Sequence, residues 1–274
     1  MNRWDALNAR LSAVSENGSA ELSRLAELVT GMESDRFLLL RMTRELPPLT
    51  EEDYAQLCHL VSLREQGEPL QYLLGSADFY GRSFSVAKGV LIPRFDTEIL
   101  VDTALSYLRE GDSVLDLCAV TGCVGLTIGA EKSVSVTEVE KYDEAFVLLQ
   151  KNAERICPSA CLIQGDIFTD EVEGAYDLIL SNPPYLPTTE CKTLSAEVQK
   201  EPITALDGGD DGLRFYRTIV ARFSSRLKAG GRMLFECGIG QASAVEEILL
   251  SAGFSDPVRV RDYGGVLRVI GAKK

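Results

Sequence analysis

A chain of 274 residues, 45% hydrophobic and 25% charged, carries enough apolar material for one large or two modest domains, which excludes a disordered polypeptide. A net charge of -13 with no run of Lys or Arg excludes a phosphate grip as the main function, so a basic protein is a better-matched partner than nucleic acid. No apolar run approaches membrane length, Met1 to Asp5 lack a leader pattern, and seven cysteines without zinc spacing fit free thiols, so the expectation is a soluble cytoplasmic protein without a metal.

Residues 1 to 74 read as a small helical bundle. Leu7, Leu11 and Val14 form one stripe, and Leu22, Leu25, Leu28 and Val29 another. Thr50 with Asp53 resembles a capping box opening a helix whose apolar face is Tyr54, Leu57, Cys58 and Val61. The single histidine, His59, falls inside that pattern without a catalytic partner and reads as structural. Phe79, Tyr80, Phe84, Val86, Val90 and Leu91 alternate with small or polar residues around Gly81 and Gly89, which predicts a hairpin linker over 75–92. Asp96 and Thr97 are placed to cap the amphipathic helix that follows, the first of a domain over 93–274.

From Asp112 onward the pattern alternates strand and helix, as in a doubly wound α/β sheet. Strands are predicted at 114–117, 134–139, 160–164, 175–181 and 231–236, with helices at 122–130, 143–155 and 213–227. The chain closes with a helix near 243–251 and two β segments, 257–260 and 265–270, forming an antiparallel hairpin on a parallel sheet.

Asn182-Pro183-Pro184-Tyr185 sits at the carboxyl end of the 175–181 strand, where ligands bind in an open α/β sheet. Two prolines fix the backbone and remove two donors. The Asn182 side-chain oxygen and the Pro183 carbonyl then make a rigid pair of acceptors for one planar NH2 group, whose flat face Tyr185 can cover. Alone, the tetrapeptide is equally a proline turn at a strand exit. Between the first strand and helix lies Asp116 to Gly125, a loop of the kind that brings backbone N–H groups to an anionic group. Glu140 ends the second strand, where a carboxylate accepts from ribose hydroxyls; Glu138 is the register alternative. Asp166 and Ile167 follow the third strand, placed for an adenine amino group and ring face.

Pro69 to Gly75, Leu91-Ile92-Pro93-Arg94 with Asp96-Thr97-Glu98, the Asn182 to Tyr185 box, and Glu201-Pro202 with Ala205 to Leu213 together resemble the HemK-type protein-glutamine N5-methyltransferases (the PrmC family) along nearly the whole chain. The resemblance implies a class I, Rossmann-like methyltransferase fold with a seven-stranded sheet and an antiparallel last strand, behind a helical substrate-recognition domain. It implies S-adenosylmethionine as cofactor, bound by Cys118, Ala119, Val120, Thr121, Gly122, Glu140, Asp166, Ile167 and Asn182. It also implies peptide-chain release factors as substrates of a monomeric enzyme. Asn182, Pro183 and Tyr185 are then catalytic, and with Pro184 they hold the glutamine of the Gly-Gly-Gln motif. Asp207 to Gly212 is not a calcium loop, since its third position is Gly209 and its twelfth is Thr218.

Two departures stand out: Val120 occupies a position where relatives carry glycine, and Phe95 stands where proline is frequent. Valine is poorly suited to φ > 0 and costs about 1 to 3 kcal/mol where that conformation is required. One alternative is therefore a release-factor-binding protein impaired in cofactor uptake. Another is an adenine N6-methyltransferase on nucleic acid, since adenine also offers a planar NH2, although acidity argues against the necessary phosphate grip.

Overall fold

Trp4, Leu7 and Leu11 recur at helical spacing and are buried on one face of α1 (Arg3–Ser12). Asn2 caps that helix, its side chain accepting the Asp5 N–H at 2.8 Å. A computed structural model describes residues 2–274. They divide into two compact units, one of residues up to Ser76 with Ala196–Lys200, the other of Ala77–Ser195 with Glu201–Lys274.

In the first unit α1 is followed by α2 (Gly18–Thr30), α3 (Ser34–Thr43), α4 (Glu51–Glu65) and α5 (Leu70–Leu74). Leu22, Leu25, Phe37, Leu57 and Val61 fill the space between the helices, with Trp4 edge-on to Phe37 at 5.0 Å. Thr50 caps α4 by accepting the Asp53 N–H at 3.0 Å, while its hydroxyl donates to the Asp53 carboxylate at 2.7 Å. Val14 and Leu28, expected on the apolar stripes, are exposed: Val14 lies past the end of α1, and Leu28 is on the outer face of α2. Helix α3 has no counterpart in the sequence reading. It buries only Phe37, so its consecutive apolar residues carry no 3.6-residue signal. A buried ion pair crosses this core, Arg64 donating to both carboxylate oxygens of Glu21 at 2.9 and 3.0 Å.

The second unit opens with a two-stranded hairpin, β1 (Ser76–Phe79) and β2 (Arg82–Ser85), whose Phe79 and Phe84 are buried. The strand pairing stops at Ser85, so Val90 and Leu91 lie in irregular chain rather than in the expected longer hairpin. There follow α6 (Glu98–Tyr107), β3 (Ser113–Leu117), α7 (Gly125–Glu131), β4 (Ser135–Glu140), α8 (Asp143–Ile156), β5 (Cys161–Gln164), β6 (Tyr176–Ser181), α9 (Arg214–Phe223), β7 (Leu227–Glu236), α10 (Ala242–Ser251), β8 (Ser255–Arg261) and β9 (Leu267–Lys273).

The sheet runs β5-β4-β3-β6-β7-β9-β8, parallel except for β9, which is antiparallel to both its neighbours. Near-continuous apolar runs in β3, β6 and β7 are buried on both faces, as a sheet covered on two sides requires. After β5 the chain returns to pair β6 with β3, so the order reverses between β3 and β6, which makes the carboxyl ends of these two strands the crevice of the fold. Helix α7 begins at Gly125, three residues later than the spacing predicts. A Cβ there would meet Glu138 Oε1 at 2.4 Å, so only glycine lets α7 lie this close to β4. Among the described residues no helix is long and apolar enough to cross a membrane, and all seven cysteines are free.

Candidate active site

A cavity of about 380 Å³ opens at the carboxyl ends of β3, β4, β5 and β6. Cys118 and Val120 after β3, Glu140 at the end of β4, Asp166 and Ile167 after β5, and Asn182 and Pro184 after β6 all line it. A smaller cavity shares Cys118, Val120 and Asn182 and adds Ala119, Thr121 and Thr97. Gly122 lines neither. Its Cβ would fall 2.5 Å from Leu149 and 2.6 Å from Leu126, so its role is close packing beneath the loop.

Besides Gly122, two non-glycine residues of the loop after β3 take the left-handed conformation, Cys118 at φ 63° and Val120 at φ 53°. For a β-branched residue this conformation stores about 1 to 3 kcal/mol. Compensation comes from below: the Val120 N–H donates to Glu140 Oε2 at 2.8 Å, and Ala119 N–H donates to the Val139 carbonyl at 3.0 Å. Burial pushes the Cys118 thiol well up, helped by the charge of Glu140, so it stays a neutral thiol.

Glu140 is 4% exposed, and its other oxygen, Oε1, accepts the Tyr142 N–H at 2.8 Å. Burial raises this carboxyl above its ordinary range, opposed by the N–H groups of Tyr142, Val120 and Lys141. Each oxygen carries a second lone pair, so an ionised Glu140 can still accept from a diol in the cavity. Burial also pushes Asp166 up, but the Lys141 ammonium at 2.9 Å and the Phe168 N–H outweigh it and hold the carboxyl below the usual range. Glu138, deeper on the same face of β4, lies against Gly125 of α7 with neither oxygen hydrogen-bonded and lines neither cavity; Glu140 is thus the member of the register pair that lines the site.

Pro183 and Pro184 are buried and Asn182 is half-buried. Asn182 Nδ2 donates to Thr97 Oγ1 at 3.1 Å, and the tetrapeptide is braced from behind by the acidic glycine-rich segment. The Tyr185 carbonyl accepts from Gln241 Nε2 at 2.7 Å, and Leu186 exchanges backbone bonds with Leu206 and Gly208. Gly212 has φ 72°, and a Cβ on it would lie 2.2 Å from the Tyr185 carbonyl oxygen. Burial pushes the Tyr185 phenol up to about 12, so it remains neutral. Pro183 and Tyr185 do not line the larger cavity.

Sequence reasoning assigned Thr97 and Asp96 to cap α6, and neither does. The Thr97 side chain turns to Asn182, and Asp96 pairs with Arg268 of β9 at 3.1 Å. Leu91, Tyr142, Phe168 and Phe215 line the cavity without having been singled out for it, Phe168 standing edge-on to Phe215 at 5.0 Å. The signal for Phe168 was its place two residues past Asp166, and for Tyr142 its place two residues past Glu140; Leu91 and Phe215 come from segments distant in sequence. Glu201, 6% exposed, receives the Ile92 N–H at 3.1 Å and the Arg94 guanidinium, which fixes the chain entering α6.

A buried carboxylate with spare lone pairs, a backbone opened by positive φ and a cavity of this size suit a nucleoside-bearing ligand, while the Asn182 carboxamide offers an acceptor for an NH2 group. Residues 94–209 match the methyltransferase small domain and residues 5–75 the PrmC N-terminal domain. A solved methyltransferase from Pyrococcus furiosus superposes with TM-score 0.57 at 17% identity, over 82% of this chain and 99% of that one, which speaks to the fold. The release factor glutamine methyltransferase of Geobacter sulfurreducens is 41% identical over 228 residues, 82% of this chain and 80% of that protein. Those of Clostridium botulinum and Escherichia coli are 36% and 33% identical, over 91% and 93% of this chain and 91% and 92% of theirs. With full-length relatives sharing this level of identity, the chain belongs to the release factor glutamine methyltransferase family.

Proposed function

We propose that this chain transfers a methyl group from S-adenosylmethionine to the side-chain nitrogen of the glutamine in the Gly-Gly-Gln motif of peptide-chain release factors. The observation that carries the reading is the Asn182 carboxamide at the cavity's edge. Its Nδ2 is spent on Thr97, which leaves Oδ1 as an acceptor at the end of β6.

Bound S-adenosylmethionine supplies an electrophilic methyl group on a sulfonium. The loop from Cys118 to Thr121, with Gly122 packed beneath it, would hold its methionyl end, Glu140 its ribose, and Asp166 with Ile167 its adenine. An amide nitrogen is a poor nucleophile because its lone pair is delocalised into the carbonyl. Asn182 Oδ1 and the Pro183 carbonyl accept its two N–H hydrogens, orient the nitrogen and raise its electron density as the bond forms. Pro184 and Tyr185 wall off water, and the displaced proton leaves to solvent. The helical unit recognises the release factor, and a net charge of -13 without a run of Lys or Arg weighs against nucleic acid as the substrate. The protein works in the cytoplasm as a monomer.

The test is steady-state methylation of a purified release factor by wild type and Asn182→Ala. Removing Oδ1 should lower kcat by about 100-fold or more while S-adenosylmethionine affinity falls far less. Wild-type turnover in the variant would refute the assignment.

A further inference from the structure

In the parallel pairing of β6 with β7, Ser181 lies opposite Phe235, so Asn182 and Glu236 follow at the same level on adjacent strand ends. Thr97 and Glu236 are each only 2% exposed. Thr97 makes no side-chain cap on α6; its hydroxyl oxygen accepts from Asn182 Nδ2 at 3.1 Å. A threonine hydroxyl has one proton to give, and an ionised carboxylate can only accept. Burial raises the Glu236 carboxyl to about 7, Thr97 is the first group to offset that rise, and Glu236 Oε2 has no hydrogen-bond partner. With its proton turned to the ionised Glu236 carboxylate, Thr97 presents a lone pair to Asn182 Nδ2, and a lone pair admits only the NH2 end of the carboxamide.

We infer that Thr97 and Glu236 are positioning residues that hold the Asn182 carboxamide in one of its two orientations, oxygen toward the amide to be methylated. An asparagine flipped by half a turn would set NH2 against NH2, and the nitrogen would lose its acceptor at the moment of transfer. The two residues thus govern the rate without touching the substrate. Neither belongs to the Asn182 to Tyr185 box, and the reading explains why a buried carboxyl stands at the end of β7 with one oxygen idle.

The inference rests on the glutamine-methylation reading, and the experiment separates the two. Initial rates on a purified release factor are measured for wild type, Thr97→Val, Thr97→Ser and Glu236→Leu, with S-adenosylmethionine affinity from calorimetry and melting temperature beside them. Thr97→Val keeps the shape and deletes the hydroxyl, so kcat should fall between about 10- and 100-fold with cofactor Kd within about twofold. Thr97→Ser restores the hydroxyl and should recover most of that loss. Glu236→Leu frees the hydroxyl proton to point at Asn182 and should lower kcat in the same way, which decides the matter should Thr97→Val fail to fold. An unchanged kcat in Thr97→Val or Glu236→Leu, or a Thr97→Ser enzyme as slow as Thr97→Val, overturns the inference. A wild type that leaves the release factor unmethylated ends the underlying reading instead.

Discussion

The Val120 N–H donates to the Glu140 carboxylate at 2.8 Å, which ties the strained loop after β3 to the end of β4 and makes one acid serve two elements of the cavity. Val120 holds φ 53° and its side chain lines both cavities, so a glycine here would release about 1 to 3 kcal/mol of strain against about 0.5 to 1 kcal/mol of added backbone freedom. Val120→Gly should therefore bind S-adenosylmethionine more tightly at no loss of stability. Calorimetry and urea unfolding check this; weaker binding by the glycine variant would show that the valine side chain is part of a productive contact.

Glu138 and Asp116 form a buried acid pair beneath the N-terminus of α7. Burial, opposed by the neighbouring Glu138 carboxyl and by the Gly125 N–H at 2.9 Å, pushes Asp116 up to about 7. Burial and the Asp116 charge push Glu138 well above its ordinary value. Between the ordinary carboxylate range and about 7 the folded chain holds protons that the unfolded chain has released, so this pair makes stability fall as pH rises through that window. Glu138→Gln removes one of the two titrations, and its melting temperature should decline less than that of wild type between about pH 5 and pH 8. Parallel curves would mean that the pair does not share a proton.

Gly212 supports the Tyr185 carbonyl by having no side chain. An alanine would place Cβ 2.2 Å from that oxygen and 2.5 Å from Gln241 Nε2, and Gly212 also holds φ 72°. At Gly253, with φ 88° and nothing within 4 Å, an alanine pays only the conformational cost of about 1 to 2 kcal/mol. Gly212→Ala should cost clearly more in chemical unfolding than Gly253→Ala and should lose turnover as well. Equal costs at the two positions, with activity kept in both, would remove Gly212 from the support of the tetrapeptide.

In the helical unit the Arg64–Glu21 pair is buried and bidentate. Burial pushes the Glu21 carboxyl up, but hydrogen bonds from Arg64 and Ser15 outweigh it and leave the carboxyl below its ordinary value. The pair's stabilisation is thus present above the ordinary carboxylate range and is lost as pH falls through the depressed folded value. Arg64→Met leaves an unpaired buried charge and should destabilise by about 3 to 5 kcal/mol at neutral pH, with Glu21→Leu added on top restoring much of it. A single variant as stable as wild type would show the pair to be dispensable.

The alternation of strands and helices from Asp112 was legible because β3, β6 and β7 are buried runs separated by amphipathic helices, and the Asn182 box announced itself by two prolines after such a run. Glu140 and Asp166 could be placed at strand ends by counting residues, and Val120 was identifiable as a β-branched residue in a loop that asks for glycine. Helix α3 was not legible, since four apolar residues in a row carry no period and only Phe37 is fully buried. Nor was the use of Thr97. Local spacing makes it a helix cap, and only the pairing of β6 with β7, 85 residues away along the chain from Thr97 to Asn182, offers its hydroxyl a better partner. The Arg64–Glu21 pair, 43 residues apart, was hidden for the same reason.

The central claim concerns which atom receives the methyl group, and tandem mass spectrometry of a release factor incubated with this protein and S-adenosylmethionine reads it directly. One methyl on the side-chain nitrogen of the Gly-Gly-Gln glutamine, absent when S-adenosylmethionine is omitted and absent with Asn182→Ala, is the predicted result. An unmodified glutamine under conditions where S-adenosylmethionine is bound, or a methyl group found on another residue, would contradict it.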